Sequence, residues 1–380
     1  MFYLRGVAPA IVKTIDMYKG VIAFIVLQII ALLIVGLYPP LVNYLPNRVS
    51  FLSESAPPPR NPRLQYCIEE YTHEKFTQER AAIDAALTDA RGLDFAVLPK
   101  SMASKVTDSF DKAEQAIKLL AQAKEAETVV TNATAAYRPT HTLVRDIQAD
   151  IAKLDGEIEE IETRTSRLRG DNNSSRRERM VEQVKELKAE KAHLQSTIPD
   201  TWKATQKEFS DLTKAEAKLR SQFRRASDDS YSAIQDVIAI FDAQAAFEAL
   251  GPQLRELRAK VAAAEPADVH EAVNEVSKQF NSIAGASKIK SPLSKARRDL
   301  KNKSPKKERA LENIDKAIAE YDSQADWRKA ASEGLSSGLA GYSGIARDTF
   351  GARLQPKLSR EQALFVASCQ SHHRDISLNF

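Results

Sequence analysis

The start of the chain and the remainder differ sharply in how apolar and polar positions follow one another. Gly20 to Tyr38 contain no charged residue and one polar amide, Gln28. Nineteen helical residues rise about 28 Å, close to the hydrocarbon thickness of a bilayer. The pattern predicts one transmembrane helix over residues 20–38. A secretory signal peptide would have a shorter apolar run, and a buried core helix would need apolar partners that the remaining chain lacks.

Residues 140–198 carry the clearest helical repeat. Apolar residues step by three, four or a full heptad of seven from Leu143 to Leu168, and the steps resume from Met180 to Ile198 after turn-forming residues at 170–175. This spacing is typical of a coiled-coil seam. Because the turn is short, we predict an antiparallel hairpin, with one continuous parallel coiled coil as the alternative. The predicted seam includes Leu154, Ile158, Ile161, Val184 and Leu187.

Proline and glycine divide the remaining chain. The predicted segments are a Pro-rich linker over 47–63, a helical segment over 64–139 that ends at Pro139, a helical segment over 199–283 in which Gly251-Pro252 ends a long helix, a basic linker over 284–309, and a helix with a flexible, glycine-containing tail over 310–380. The predicted fold class is therefore all-α, with one transmembrane helix and a long helical extension.

Composition favours helices and excludes several classes of function. Charged residues make up 28% of the chain and there are only 13 glycines, which argues against a doubly wound enzyme. The formal net charge is +4, but residues 288–309 hold ten cations against two acids. We interpret this stretch as a solvated, mobile linker. Contact with anionic lipid is the alternative, and specific nucleic-acid binding is disfavoured because the stretch lacks aromatic residues. The candidate lipid contacts are Arg297, Arg298, Lys306 and Lys307.

Residues that could carry chemistry are scattered. Cys67 and Cys369 lie far apart in the sequence, so we predict two unpaired, reduced thiols. His372 and His373, with Cys369 as a possible third ligand, make a poor metal site. The six histidines are otherwise expected on polar helix faces or in the tail, and no nucleophile is paired with a base. We therefore predict no enzyme, no cofactor and no metal.

Three stretches near the start carry a more specific signal. They are FYLRGVAP at Phe2–Pro9, the segment Ile15–Gly20 and the turn Tyr38–Pro46. Residues 1–46 resemble the C-terminal end of the large membrane subunit of TRAP transporters, in the mannitol/chloroaromatic or dicarboxylate branch. The resemblance implies that Met1 is an internal methionine of a longer chain, and that the transport site lies upstream of it.

The resemblance also implies a function and a location. The function is ion-coupled uptake of organic acids such as dicarboxylates, by a permease of which this chain is the C-terminal part. The implied partners are the remaining part of the large subunit, the small membrane subunit and a periplasmic solute-binding protein. The implied location is the bacterial inner membrane, with the extension in the cytoplasm. The alternative is a self-standing, single-pass coiled-coil protein that tethers partners at that membrane.

Overall fold

A computed structural model describes residues 14–37, 40–168, 173–302 and 304–369. These residues form helices and connecting turns without any strand, which confirms the all-α prediction. The helices are α1 (Thr14–Leu37), α2 (Pro40–Leu52), α3 (Pro62–Gln78), α4 (Arg80–Arg91), α5 (Lys100–Arg167), α6 (Ser174–Thr197), α7 (Trp202–Asp242), α8 (Gln244–Ala263), α9 (Pro266–Asn281), α10 (Ser287–Lys301), α11 (Lys307–Arg347) and α12 (Arg360–Ser368), with 3₁₀ turns at Phe95–Val97 and Ala352–Leu354.

The described residues divide into two compact units. Unit 1 contains the residues up to Ala103 together with those from Tyr231 onward, and unit 2 contains Ser104–Ser230. Helices α5 and α7 each contribute residues to both units. Unit 1 contains an apolar core among several helices, whereas unit 2 consists of long paired helices with an aromatic cluster at Tyr137, Trp202 and Phe209.

The core of unit 1 lies among helices α8, α9, α10 and α11. Each helix contributes apolar residues spaced by three, four or seven positions, so that one face of each is buried. Across α8 and α11, Arg258 pairs with Asp315 and Arg255 pairs with Asp322. The earlier arginine of α8 therefore pairs with the later aspartate of α11, which shows that these two helices run antiparallel. The buried residues are Phe247, Leu250, Leu254, Leu257, Val261, Val269, Val273, Phe280, Ala286, Ile289, Leu293, Ala296, Leu300, Ala310, Ile314, Ala317 and Tyr321.

The predicted helix end at Gly251-Pro252 is wrong, because α8 continues through both residues. Pro252 has no N–H to bond the carbonyl four residues earlier, that of Glu248. The Tyr321 hydroxyl donates to that carbonyl oxygen instead, at 3.4 Å. Gly251 permits this approach, since a Cβ there would lie 2.3 Å from the Tyr321 oxygen. Tertiary packing therefore compensates for the proline.

The basic stretch 284–309 is not an open linker. Residues 287–301 form α10, and Ile289, Leu293, Ala296 and Leu300 on one face of this helix are almost completely buried. They are spaced by four, three and four, which is the repeat of an amphipathic helix. The cations occupy the remaining faces of α10. The prediction of a linker was wrong because it considered the number of charges and not their position around the helix.

The glycine-containing stretch after residue 333 is also helical, because α11 runs through it to Arg347. Gly338 lies against Leu93, and a Cβ at this position would come within 2.7 Å of a Leu93 methyl carbon. The close contact explains one glycine of the series. The predicted flexibility of this glycine-containing stretch is therefore wrong. The end of the predicted tail, residues 370–380, lies outside the described residues, as do His372 and His373 within it.

Helix α5 does not end at Pro139 as predicted. Aromatic packing surrounds the proline: the Tyr137 ring stacks on Phe209 at a centroid distance of 4.1 Å and on Trp202 at 5.8 Å. These contacts come from α7 and hold the turn of α5 that contains the proline. His141 is buried beside them, rather than lying on a polar face as predicted.

The predicted Pro-rich linker 47–63 is shorter than expected. Helix α2 extends to Leu52 and α3 begins at Pro62, where the Asn61 side chain accepts a hydrogen bond from the backbone N–H of Arg63. Proline suits the first turn of a helix because the N–H it lacks would have no intrahelical partner there. Only residues 53–61 connect the two helices.

Candidate functional site

Helix α1 exposes apolar side chains along its described length. Twelve large apolar residues are exposed, from 38% at Val35 to 82% at Leu37. The helix includes Gly20 and Gln28 of the predicted span, while Tyr38 lies outside the described residues. By length and apolarity together, no helix in the described part of the chain qualifies as a membrane span, so the predicted transmembrane helix is not supported.

The C-terminal helix α12 packs antiparallel against α3, with one contact at each turn. Cys369 meets Cys67, the Phe365 ring packs edge-on against Tyr71 at 5.5 Å, and Glu361 pairs with Lys75 at 2.9 Å. Hydrogen bonds to Glu79 and Glu361 raise the pKa of the Lys75 ammonium, and burial raises the pKa of Tyr71. Both groups are therefore protonated at neutral pH.

The prediction of two unpaired thiols is wrong, because Cys67 and Cys369 form a disulfide across 302 residues of sequence. The bond sits among apolar side chains from both ends of the described extension, and Phe51 and Leu52 of α2 pack on the same cluster. Sequence spacing could not reveal the pair, because the docking of α12 on α3 depends on the whole of unit 1. We call this α3–α12 pairing with its disulfide the clasp.

Unit 2 contains the predicted hairpin residues. Leu154, Ile158 and Val184 are buried, with 6–8% of each exposed, and Ile161 and Leu187 are half-buried. Leu143 is 51% exposed, and its neighbour Val144 is buried in its place. At the start of the seam, the buried position is therefore one residue later than the predicted apolar repeat places it.

Charged pairs fix the direction of the two hairpin helices. Lys188 of α6 pairs with Glu162 of α5, and Lys191 pairs with Asp155. The later lysine of α6 therefore pairs with the earlier acidic residue of α5, which shows that these two helices run antiparallel. The carboxylates of this region serve as flanks of the seam. Residues 169–172 of the connecting turn lie outside the described residues.

Further from the turn, α5 pairs with α7 through a buried charge cluster. The Arg220 guanidinium donates to Glu216 at 2.7 Å and pairs with Glu127 at 3.1 Å. Glu216 and Arg220 are 2% and 5% exposed. Buried charges contribute little net stability, but an offset of the helices would separate Arg220 of α7 from Glu127 of α5. The cluster thus specifies one register of α5 against α7.

The four candidate lipid contacts have different environments. Arg297 donates to the Asn274 side chain and Lys307 to the backbone carbonyl of Ala264, so both join α9 or its preceding turn to neighbouring elements. Arg298 and Lys306 are exposed. Arg298 lines an open polar groove of about 650 Å³ together with Lys295, Asp299, Asn302, Arg309, Glu312, Asn313 and Lys316.

Arg328 is a further buried charged group. It donates to the carbonyl of Ala284 and to the Gln324 side chain, and its guanidinium lies over the Phe247 ring at 4.1 Å. Burial lowers its pKa to about 10, so it remains charged at neutral pH. Gly285, with a φ of 75°, passes close to this guanidinium. Arg328 therefore holds the α9–α10 turn in place, which is a structural role.

No group of three His, Cys, Asp or Glu residues in the described ranges is arranged to hold a metal ion. Cys369, considered as a third ligand for the tail histidines, is committed to the disulfide. The features with functional content are therefore α1, the clasp and the hairpin. Searches of protein-family models, of curated proteins and of solved structures find no match to this chain.

Proposed function

We propose that this chain is the C-terminal part of a TRAP-type permease large subunit, attached to the bilayer through α1 and extended by a helical spacer. The observation that carries membrane attachment is the continuous exposure of large apolar side chains on α1. Monomeric soluble proteins rarely expose apolar patches of this kind, and such patches mark membrane or protein interaction sites. The permease assignment rests on the resemblance of residues 1–46, and the transport site belongs to the upstream part.

The spacer proposal rests on the shape of unit 2. Residues 104–167 belong to one helix, and at 1.5 Å per residue this stretch is about 96 Å long. Helices α6 and α7 cover its side in antiparallel pairing: for α7, Arg220 pairs with Glu127 and the later Asp229 pairs with the earlier Lys112. A paired rod of this kind can separate two bound partners by a defined distance. Catalytic groups are not required for such a role.

Membrane attachment is tested by flotation of the full chain with phosphatidylcholine vesicles. We expect the chain to float with the vesicles, and the Leu27→Lys/Ile34→Lys variant to lose at least about tenfold in bound fraction, because each charge placed in hydrocarbon costs about 3 kcal/mol. The matched control is Gln148→Lys/Gln183→Lys, which adds the same charge at exposed hairpin positions. Equal flotation of both variants would contradict attachment through α1.

The self-standing tether is the second candidate, supported by the length of the hairpin. The genomic sequence before Met1 separates the two. An open frame that continues upstream through about ten apolar segments, each long enough to span, supports the permease. A ribosome-binding site immediately before Met1 supports the tether and would overturn the permease assignment.

Contact with anionic lipid stays a prediction, and the exposed pair Arg298 and Lys306 is its best-placed part. Each cation near an anionic surface contributes about 1 kcal/mol. The Arg298→Gln/Lys306→Gln variant should therefore bind phosphatidylserine-containing vesicles more weakly than the parent chain, while its binding to phosphatidylcholine vesicles stays the same. An unchanged ratio between the two vesicle types would exclude lipid contact at this place.

A further inference from the structure

The clasp is a site at which ordinary side-chain contacts bring two thiols together. At successive turns of α3 and α12, an ion pair, an aromatic pair and the cysteine pair follow one another. Helix α12 begins with a capping box, in which the Ser359 and Gln362 side chains bond each other's backbone N–H groups. The helix therefore has its own start signal and its own register on α3. Both cysteines of the sequence are used in the bond.

We infer that the clasp disulfide is formed in the working protein and that the extension, from α3 to α12, resides in an oxidising compartment. Disulfides persist in secreted, periplasmic and cell-surface proteins and are rare in the cytosol, where thiols are kept reduced. Cys67 is 3% exposed and Cys369 is partly buried. A largely buried structural disulfide resists attack by thiols, in contrast to the exposed bonds that serve as redox switches.

The inference goes beyond the proposed function and rests on its membrane attachment only for naming a side of the bilayer. With α1 in the membrane, an oxidised extension lies on the outer, periplasmic side. This is opposite to the cytoplasmic side that the resemblance implies, so a periplasmic extension would favour the self-standing tether over the permease. The clasp also fastens the last described helix beside α2, so both ends of the extension meet at one place.

Bond formation requires a dithiol oxidoreductase in its disulfide form as the oxidant. One cysteine thiolate of the clasp attacks a sulfur of the donor disulfide, and a mixed disulfide forms as the donor's other sulfur leaves as a thiolate. The second clasp thiolate then attacks the sulfur of the first and releases the donor as a dithiol. Two thiols of this chain are oxidised, two electrons reduce the donor disulfide, and the protons of the two clasp thiols balance the reduced donor.

The test is thiol trapping of the full chain in intact bacterial cells. Cells are quenched in acid, denatured and treated with a maleimide-polyethylene glycol that adds mass at each free thiol. We expect no added mass before reduction and two additions after reduction. Denaturation removes burial as a reason for lack of labelling. Two additions without prior reduction would overturn the inference.

The Cys369→Ser variant is the matched control, because its single remaining thiol should label once without reduction. The compartment is tested in cells that lack the dithiol oxidase of the periplasm, where we expect both thiols of the parent chain to become free. A bond that forms regardless of this oxidase would overturn the periplasmic location. Alkaline phosphatase fused after Phe380 should be active, and inactive enzyme would overturn the same location.

These readouts are separate from the flotation test of the proposed function. A chain that is oxidised but does not float would keep the clasp inference and contradict attachment through α1. A chain that floats but carries two free thiols would keep membrane attachment and overturn the clasp inference.

Discussion

The α8–α11 core of unit 1 and the hairpin of unit 2 are both built from amphipathic helices, yet they bury side chains to different depths. Leu293 and Ile314 in the core are 0% exposed, whereas Leu154 and Val184 in the hairpin seam are each 8% exposed. A helix among several neighbours has its apolar face sealed on all sides. A helix with one partner keeps water along both flanks of its seam.

The two regions also use charge differently. In the core, the pairs Arg258–Asp315 and Arg255–Asp322 lie exposed at the edge, and the buried Arg328 bonds uncharged oxygen atoms of Ala284 and Gln324. In unit 2, Glu216 and Arg220 are themselves buried. The core is therefore stabilised mainly by burial of apolar area, while unit 2 adds charge pairing to select one alignment of its helices. This difference can be tested with matched substitutions.

The largest expected change in the free energy of unfolding comes from replacing a buried leucine by alanine, once in each region. We expect Leu293→Ala to destabilise unit 1 by about 4 kcal/mol, within the range of about 2–5 kcal/mol for a buried leucine. Leu154→Ala should cost about 2 kcal/mol, because the seam is partly hydrated and can close around the smaller residue. Native-state hydrogen exchange measures opening of each unit separately. Equal losses would show that the two-helix seam excludes water as fully as the core.

The second effect concerns charge within unit 2. Glu216→Ala should cost about 3 kcal/mol, because it removes a partner from the buried Arg220 guanidinium. Glu162→Ala removes an exposed partner of Lys188 and should cost less than about 1 kcal/mol. Chemical denaturation followed by helical circular dichroism gives both values. A loss from Glu216→Ala as small as that from Glu162→Ala would show that the buried pair contributes no more to stability than the exposed pair does.

The comparison also explains how far the sequence could predict the fold. The hairpin helices pair with near neighbours in sequence, so a local repeat of apolar residues placed Leu154, Ile158 and Val184 at the seam. The same reasoning failed for α10. Its four buried apolar residues follow a helical repeat, but the many cations between them led to the prediction of a solvated linker. Helix α10 acquires its partners only when α8, α9 and α11 assemble around it.

Prolines and cysteines show a second limit of sequence reasoning. The stop signals at Pro139 and Pro252 are correct local chemistry, but aromatic residues from α7 and α11 override them in the folded chain. The clasp depends on a contact between residues 302 positions apart, for which a single sequence carries no local signal. Features set by nearby residues, such as the hairpin seam, could be predicted from the sequence. Features set by contacts between distant elements, such as the disulfide and the helices that continue through proline, could not.

A substitution with a smaller expected effect tests the close contact between α8 and α11 at Gly251 and Tyr321. We expect Gly251→Ala to destabilise unit 1 by about 1–3 kcal/mol, because the added carbon overlaps the Tyr321 hydroxyl and the overpacked helices must separate. Gly341→Ala in α11 meets open space and should stabilise the same unit by about 0.5–1 kcal/mol. Thermal unfolding gives the sign of each change. A stabilising Gly251→Ala substitution would refute the close contact.

The smallest effect tests the antiparallel alignment of the hairpin. Glu162→Lys and Lys188→Glu each place like charges opposite one another and should cost up to about 1 kcal/mol at low salt, while the double variant restores an attractive pair. The coupling measured by this cycle should shrink at 1 M salt, where charges are screened over about 3 Å. In a parallel coiled coil the chain would place these residues far apart, and the coupling would be zero at every salt concentration. A measurable, salt-sensitive coupling therefore supports the hairpin even though its magnitude is small, because only its sign and its screening distinguish the two arrangements.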